Sequence, residues 1–196
     1  MKIAVIILNG KCSSFEYLKK LCEASDFVIC ADGGYKYAQK AGIKVNLVVG
    51  DFDSCTVPDG VEILKVPSEK DFSDGELAVN TAKDKGFDKI ILTCALGGRM
   101  DHSVSNLMLL DEKVCIFEST EKIFSVNETI ILQEKKGTVF SIIPSETSII
   151  SIKGAKYPLE NKEISWGGSL TLSNETVGKE TIITVTKGKI LLFVNN

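Results

Sequence analysis

The chain has little of what several common protein classes need. It contains a single histidine, His102, and its six cysteines form no Cys-x-x-Cys pair, so the usual ligands of a zinc site are missing. No apolar run reaches the roughly 18 residues that a membrane-spanning helix requires. The net charge of −3 provides no basic field to attract nucleic acid or an anionic membrane. We therefore expect a cytoplasmic protein with reduced, mostly buried thiols and no membrane or nucleic-acid partner.

Three sequence signatures of nucleotide binding and catalysis are also absent. The chain has no G-x-x-x-x-G-K-[ST] loop, no G-x-G-x-x-G fingerprint and no G-x-S-x-G nucleophile elbow. Its 196 residues, 44% hydrophobic and 25% charged, otherwise have the composition of an ordinary globular protein. Acid-rich phosphoryl or pyrophosphoryl chemistry is the function class that remains.

Up to about residue 118, short continuous apolar runs alternate with helical patterns, which is typical of strands covered by helices on both faces. Strands are predicted at residues 2–8, 27–30, 46–49, 61–66, 89–95 and 113–117, and helices at 14–23, 35–41, 75–85 and 102–110. Ser73 and Glu76 form a capping box ahead of the third helix. The pattern predicts an α/β domain with a three-layer, mostly parallel, Rossmann-like sheet.

After residue 117 the helical pattern gives way to β-branched and alternating segments separated by turn residues. Strands are predicted at residues 129–132, 138–143, 149–153, 169–172, 181–186 and 189–194. They indicate a small antiparallel all-β sandwich or barrel, with the polar stretch 118–128 as the connection. We therefore expect two domains, at residues 1–120 and 125–196.

Two carboxylates, Asp51 and Asp53, follow the apolar run at residues 47–49. On an extended backbone they point the same way, and like charges this close need a cation or a shared proton. Mg²⁺ takes one or two carboxylates and completes its shell with water and substrate phosphates. Asp71 and Asp74 stand at the start of the third helix. If these loops converge, the pattern favours a divalent cation; the alternatives are a turn with solvated carboxylates and simple helix capping.

Glycine-rich segments follow two other predicted strands, at the sheet edge where open α/β proteins bind ligands. Asp32-Gly33-Gly34 allows close approach to a phosphate or base, although the same residues are ordinary turn chemistry. The segment from Gly97 to His102 reads Gly-Gly-Arg-Met-Asp-His, and its arginine is suited to bidentate phosphate binding. Asn106 falls on the same helical face as His102. A lone histidine is more often structural, but its place in this segment favours a functional role.

Taken in order, these segments resemble the motifs of the thiamine pyrophosphokinase family. The matching strings are Ala31-Asp32-Gly33-Gly34, Gly50-Asp51-Phe52-Asp53-Ser54, Lys70-Asp71-Phe72-Ser73-Asp74-Gly75-Glu76 and the segment from Gly97 to Asn106. Ser73 stands where the family commonly has Thr, which keeps a hydroxyl cap. In the second half, residues 157–159 and 166–175 resemble the family's thiamine-side segment.

The resemblance implies an enzyme that transfers an intact pyrophosphate from ATP to the hydroxyl group of thiamine, giving thiamine diphosphate and AMP. It implies Mg²⁺ as cofactor and a homodimer as the assembly. ATP is expected over the α/β domain. Thiamine is expected near the dimer interface, lined partly by the β domain.

The same resemblance implies roles for individual residues. The expected Mg²⁺ ligands are Asp51, Asp53, Asp71 and Asp74, and Asp74 or Asp71 is the expected acceptor of the thiamine hydroxyl proton. The expected ATP site comprises Asp32, Gly33, Gly34, Lys70, Arg99, Asp101, His102 and Asn106. Arg99 is its main phosphate clamp, and Asp32 either shares the metal cluster or orients thiamine. Asp101, His102 and Asn106 either orient the nucleotide or hold the Arg99 loop.

On the thiamine side, Ser173 and Asn174 are expected to hydrogen-bond the pyrimidine, and Trp166 is expected to stack on a ring. The alternatives are a core tryptophan and ordinary turn chemistry. Two other functions stay open for the whole chain. One is a metal-dependent phosphohydrolase, because aspartate clusters also activate water. The other is a non-catalytic nucleotide sensor whose β domain docks a partner.

Overall fold

The computed structural model describes residues 1–50, 60–65 and 71–196. They fall into two compact units, Met1–Ser119 and Thr120–Asn196. The predicted metal ligands Asp51 and Asp53 and the predicted ATP contact Lys70 lie outside the described residues. None of the helices in the described ranges combines the length and the apolar composition needed to cross a bilayer.

The first unit alternates strands and helices, as its sequence predicts. In chain order they are β1 (Ile3–Ile7), α1 (Phe15–Glu23), β2 (Phe27–Ala31), α2 (Tyr35–Ala41), β3 (Leu47–Gly50), β4 (Glu62–Lys65), α3 (Asp74–Asp84), β5 (Lys89–Thr93), α4 (Met100–Met108) and β6 (Val114–Phe117). A single 3₁₀ turn at Asp32–Gly34 joins β2 to α2. Each predicted element of this half is present, and its ends differ from the prediction by no more than two residues.

The strands of the first unit pair in parallel, in the order β6-β5-β1-β2-β3-β4. From β1 the chain runs outward to β4 on one side, and α3 then returns it to β5 on the other side of β1. Because such crossovers are right-handed, the reversal puts α1 and α2 on one face of the sheet and α3 and α4 on the other. The order therefore changes direction between β1 and β5, which is the switch point where open α/β sheets bind ligands.

The second unit contains antiparallel strands only, within its described residues. They are β7 (Glu121–Val126), β8 (Thr129–Leu132), β9 (Val139–Pro144), β10 (Ser148–Lys153), β11 (Leu159–Ile164), β12 (Asn174–Glu175), β13 (Thr181–Lys187) and β14 (Ile190–Asn195). One sheet has the order β12-β9-β14-β7 and the other has the order β11-β10-β13-β8. Alternate residues of β9, β10, β13 and β14 are buried in one shared apolar core, which makes the unit a β-sandwich. The predicted fold class is confirmed for both halves.

Two details of the predicted β half are wrong. Residues 118–128 are not an irregular connection, because β7 lies within them and pairs with β14 along its whole length. Residues 169–172 are not a strand: Leu170 and Leu172 are exposed, and Thr171 only exchanges hydrogen bonds with Ile142. The sequence pattern also misses β11, a mostly exposed, polar strand whose only partner among the described strands is β10.

Candidate active site

A cleft of about 320 Å³ opens in the first unit at the switch point of the sheet. Its lining residues come from the carboxyl ends of strands and from the first turns of helices. After β1 they are Leu8, Asn9 and Gly10, after β2 Ala31 and Asp32, after β5 Ala95 and Gly98, at α3 Ser73, Asp74 and Gly75, and at α4 Arg99, His102, Ser103, Ser105 and Asn106. Six predicted site residues thus meet in one cleft: Asp32, Asp74, Arg99, His102, Asn106 and, as the predicted cap, Ser73.

Small residues let the backbone segments at the floor of this cleft approach one another closely. The Gly10 N–H donates to the Cys94 carbonyl at 2.7 Å. A Cβ atom on Gly10 would lie 2.5 Å from the carbonyl oxygens of both Cys94 and Leu96. Gly33 and Gly34 are buried beside the end of β1, where a Cβ on Gly34 would lie 2.2 Å from the Ile7 carbonyl oxygen. The predicted close approach is therefore used here to pack loops against each other.

Two helices present their amino-terminal turns to the cleft. Ser73 caps α3, and its hydroxyl accepts the Glu76 N–H at 3.1 Å, as the capping pattern predicts. Arg99 is the first residue before α4. Because the first N–H groups of a helix have no partner within it and carry the positive end of the dipole, this edge of the cleft favours phosphate groups.

Two carboxylates line the same cleft, Asp32 and Asp74. Asp32 has a φ of 42°, in the left-handed region that residues other than glycine rarely adopt. A Cβ on Gly50 would lie 3.3 Å from the Asp32 Cα, so β3 ends against this residue. Asp71, by contrast, is exposed ahead of α3 and is not among the residues that line the cleft.

The donor set of the cleft fits Mg²⁺ as far as it is described. Among the described residues, no group of three or more His, Cys, Asp or Glu side chains could hold a metal by itself. Mg²⁺ does not need such a cage, because it commonly binds one or two carboxylates plus water and substrate phosphates. Asp32 and Asp74 supply carboxylate oxygens of this kind. The predicted four-aspartate cluster stays a prediction.

The predicted phosphate clamp, Arg99, already holds an acid in its fork. Its Nη2 and Nε donate to the two oxygens of Asp101 at 2.6 Å and 3.2 Å. Asp101 also accepts the His102 N–H at 3.0 Å. The hydrogen bond from Arg99 lowers the pKa of Asp101, so that carboxyl is ionised at neutral pH. A phosphate that binds Arg99 in the same bidentate manner would take the place of Asp101.

Asn106 has a structural contact besides its place in the cleft wall. Its side-chain amide donates to the Ala95 carbonyl at 2.7 Å, which ties α4 to the turn that follows β5. The sequence prediction allowed Asn106 either to orient the ligand or to hold the loop, and the structure shows contact with the loop.

The sequence analysis missed several residues of the cleft, above all Asn9 and Gly10. Asn9-Gly10 marks the end of β1 in the sequence, but only the position of β1 next to β5 makes that end part of a ligand site. Ser103 and Ser105 were missed because serines in a helix carry no distinctive pattern. Knowing the strand order would have found the first pair.

In the second unit, the three predicted thiamine contacts have different environments. Trp166 lies in the turn after β11 with 76% of its surface exposed, so it is not a core residue. Ser173 is exposed, with a φ of 56°. Asn174 is buried; its side chain accepts the Tyr157 and Glu175 N–H groups and donates to the Tyr157 carbonyl. A cavity of about 150 Å³ lies beside the Trp166 turn, between Glu163 and Thr171.

Fold and cleft together place the chain in the class of α/β enzymes that bind phosphate-bearing ligands at the switch point of a parallel sheet. Two family models match it: "Thiamin pyrophosphokinase, catalytic domain" over residues 18–117 and "Thiamin pyrophosphokinase, vitamin B1 binding domain" over residues 128–190. The chain belongs to the thiamin pyrophosphokinase family.

Individual relatives agree over the full length of the chain. Thiamine pyrophosphokinase from Bacillus subtilis (strain 168) is 29% identical over 209 residues, which cover 98% of each chain. Thiamine pyrophosphokinase 2 from Arabidopsis thaliana is 25% identical, over 98% of this chain and 85% of that one. The crystal structure of thiamine pyrophosphokinase from Bacillus subtilis superposes with a TM-score of 0.86 at 25% identity, over 100% of this chain and 99% of that one. Thiamin pyrophosphokinase from Candida albicans shares the fold, with a TM-score of 0.79 at 21% identity, over 99% and 88%.

Proposed function

We propose that the chain transfers an intact pyrophosphate from ATP to thiamine with Mg²⁺ as cofactor, and that the cleft of the first unit holds the reacting phosphates. Thiamine pyrophosphokinase activity and ATP as co-substrate follow from the family. The single observation that carries the assignment of the cleft is its composition. The first turns of α3 and α4, two carboxylates and an arginine surround one space at the switch point.

The reaction asks the protein mainly for positioning and charge stabilisation. The hydroxyl oxygen of thiamine attacks the β-phosphorus, the bond from that phosphorus to the bridging oxygen of the α-phosphate breaks, and AMP leaves. The hydroxyl proton passes to an acceptor, for which Asp74 or Asp71 is predicted. Charge on the phosphate oxygens is best stabilised by fixed donors. Here these are the N–H groups at the starts of α3 and α4 and the guanidinium of Arg99, once Asp101 releases it.

Asp32 and Asp74 are the described residues that would hold Mg²⁺, together with the predicted ligands Asp51, Asp53 and Asp71. When bound, the ion would neutralise charge on the phosphate oxygens. Lys70, Asp101, His102, Gly33 and Gly34 complete the proposed ATP site. In this arrangement Asp101 competes with phosphate for Arg99, whereas Gly33 and Gly34 allow the turn after β2 to pack against β1.

The two halves of the chain take different substrates in this proposal. Residues 1–120 bind the nucleotide, and residues 125–196 bind thiamine and form a homodimer. Support for the second role comes from exposed apolar side chains around one turn of the β-sandwich: Trp166 at 76%, Leu170 at 58% and Leu172 at 46%. Ser173 is available at the surface beside them. Asn174 would act by fixing the Tyr157 backbone or by exchanging one of its present hydrogen bonds.

A cytoplasmic location belongs to the same proposal. It is supported by the free cysteines of the described chain, of which Cys22, Cys30, Cys94 and Cys115 are buried. Burial raises the pKa of Cys22 to about 12 and that of Cys115 to about 11, so these thiols are unreactive at neutral pH.

The activity is tested by incubating the purified chain with ATP, Mg²⁺ and thiamine. We expect AMP and thiamine diphosphate in equal amounts, with label from both the β- and γ-phosphates of ATP appearing in the vitamin product. Orthophosphate released without thiamine would indicate a hydrolase instead. Nucleotide binding without turnover, unaltered by thiamine, would indicate a sensor.

The assignment of the cleft is tested by a matched pair of variants. Asp74→Asn should lower kcat by roughly 10²-fold and raise the Mg²⁺ concentration for half-maximal rate, because it removes a charged ligand. Asp88→Asn is the control. Asp88 precedes β5, at the opposite edge of the sheet, and its carboxylate accepts the Lys2 N–H at 2.7 Å. Equal kinetics for Asp74→Asn and wild type would remove the cleft from the proposal, even if thiamine diphosphate is formed.

A further inference from the structure

A buried carboxylate lies behind the cleft and has no role in the site described above. Glu118 directly follows β6 and is only 7% exposed. Its Oε1 accepts the Ala95 N–H at 2.7 Å. Because β5 and β6 are adjacent strands, this bond joins the ends of two neighbours at the edge where the cleft opens. A carboxylate is costly to bury unless hydrogen bonds or charges compensate it, so simple packing does not account for Glu118.

The residue that Glu118 holds sits at a strained turn. Cys94, the residue before Ala95, has a φ of 51°, which costs energy for any residue other than glycine and persists only where neighbours enforce it. The Cys94 carbonyl accepts the Gly10 N–H at 2.7 Å, and the Ala95 carbonyl accepts the Asn106 side chain at 2.7 Å. The turn after β5 therefore fixes both the loop after β1 and the start of α4.

We propose that Glu118 is a positioning residue of the nucleotide cleft. It holds the Ala95 peptide by its N–H and, through the Ala95 carbonyl, sets the Asn106 side chain and the amino-terminal turn of α4 against the ligand. The nature of the ligand, ATP, rests on the proposed function. The chemical requirement at position 118 is an acceptor oxygen at the correct reach, with a charged acceptor forming the stronger bond.

Three substitutions separate this role from a contribution to stability alone. Glu118→Gln keeps an acceptor oxygen at the same reach. Glu118→Leu removes the acceptor, and Glu118→Asp keeps the charge but shortens the side chain by one methylene. Asp111→Ala is the matched control, because Asp111 Oδ1 accepts the backbone N–H groups of Lys113 and Val114, both at 2.9 Å, at the far end of the same strand.

The measurements are the Kd of a non-hydrolysable ATP analogue by calorimetry, the kinetics in ATP and in thiamine, and the thermal midpoint. Glu118→Leu and Glu118→Asp should each weaken analogue binding by about tenfold or more, since displacements well under 1 Å already misalign a site. The KM for thiamine should stay near wild type, and Glu118→Gln should restore most of the affinity for the analogue. Asp111→Ala should lower the thermal midpoint and leave analogue binding unchanged.

The route through Asn106 is tested by combining substitutions. If Glu118 acts through Asn106, the Glu118→Leu, Asn106→Leu double variant should bind the analogue about as weakly as the worse single variant. Losses that add fully would overturn this route. Wild-type binding by folded Glu118→Asp or Glu118→Leu would overturn the proposal as a whole. Because analogue binding needs no thiamine, failure of wild type to form thiamine diphosphate would contradict the proposed function and not this inference.

Discussion

The close approach of Gly10 to the turn after β5 makes one substitution especially informative, Gly10→Ala. The new Cβ would lie 2.5 Å from two backbone carbonyl oxygens, those of Cys94 and Leu96. No flexible side chain can move aside to relieve either contact. The φ of Gly10 is outside the left-handed region, so alanine is disfavoured here by space and not by its backbone conformation.

The size of the effect follows from the overlap. Ordinary carbon contacts begin near 3.4 Å, so the loop after β1 must move by between roughly 0.5 and 1 Å to accept the methyl group. Overpacking of this kind costs about 1–3 kcal/mol of the free energy of unfolding. For a chain of this length that corresponds to a thermal midpoint lower by about 2–12 °C. A shift of the cleft floor by about 1 Å should cost up to 10²-fold in kcat/KM for ATP.

The assay compares kcat/KM for ATP and the thermal midpoint of Gly10→Ala with those of Gly178→Ala. Gly178 has open space where a Cβ would go and no positive φ, so its substitution tests the effect of an added methyl group by itself. Gly178→Ala should resemble wild type in both measurements. If Gly10→Ala also resembles wild type, the loop after β1 does not pack on the turn after β5 as described, and the floor of the cleft is wrong.

Three further predictions concern single side chains. Ser73→Ala should destabilise the protein by about 1 kcal/mol, because it removes the hydroxyl that caps α3; a denaturant titration that shows no change would contradict the cap. Arg99→Lys should lower kcat/KM for ATP at least about tenfold, since lysine cannot form a two-pronged contact, while the thermal midpoint stays constant because the side chain is 73% exposed. The pKa of Asp111 is lowered: burial raises it, but hydrogen bonds from Lys83 and from the backbone N–H groups of Lys113 and Val114 outweigh that effect. The stability that Asp111 contributes is therefore present above its ordinary pKa of 3.8 and is lost as the pH falls through the lowered value. Asp111→Asn should thus be less stable than wild type at neutral pH, and a difference that persists undiminished at about pH 2 would refute the assignment.

The sequence by itself determined the order and type of the elements in the first half. Continuous apolar runs and a 3.6-residue period are local properties, so β1 to β6 and α1 to α4 could be predicted with small errors at their ends. It also determined the family, because four short motifs occur in the correct order. Asp32, Asp74, Arg99, His102 and Asn106 could be nominated on that basis, and the structure brings them to one cleft.

Elements stabilised mainly by distant partners escaped the sequence pattern. The segment Glu121–Val126 is polar at its ends and has the burial pattern of a strand only because β14 pairs with it. The segment Leu159–Ile164 is largely exposed and exists as a strand through its ladder with β10. In both cases the deciding hydrogen bonds join residues far apart in the chain, where periodicity carries no information.

The tertiary structure alone decided which residues surround the cleft and what supports it. Asn9 and Gly10 became part of the site because β1 lies beside β5. Glu118 lies at the back of the site because β6 is the next strand along. Arg99 has a partner, Asp101, that its motif does not reveal. Residue types and spacings specify what chemistry a chain can do. Which backbone segments share a sheet edge depends on strand order, and strand order is fixed by the packing of the whole unit.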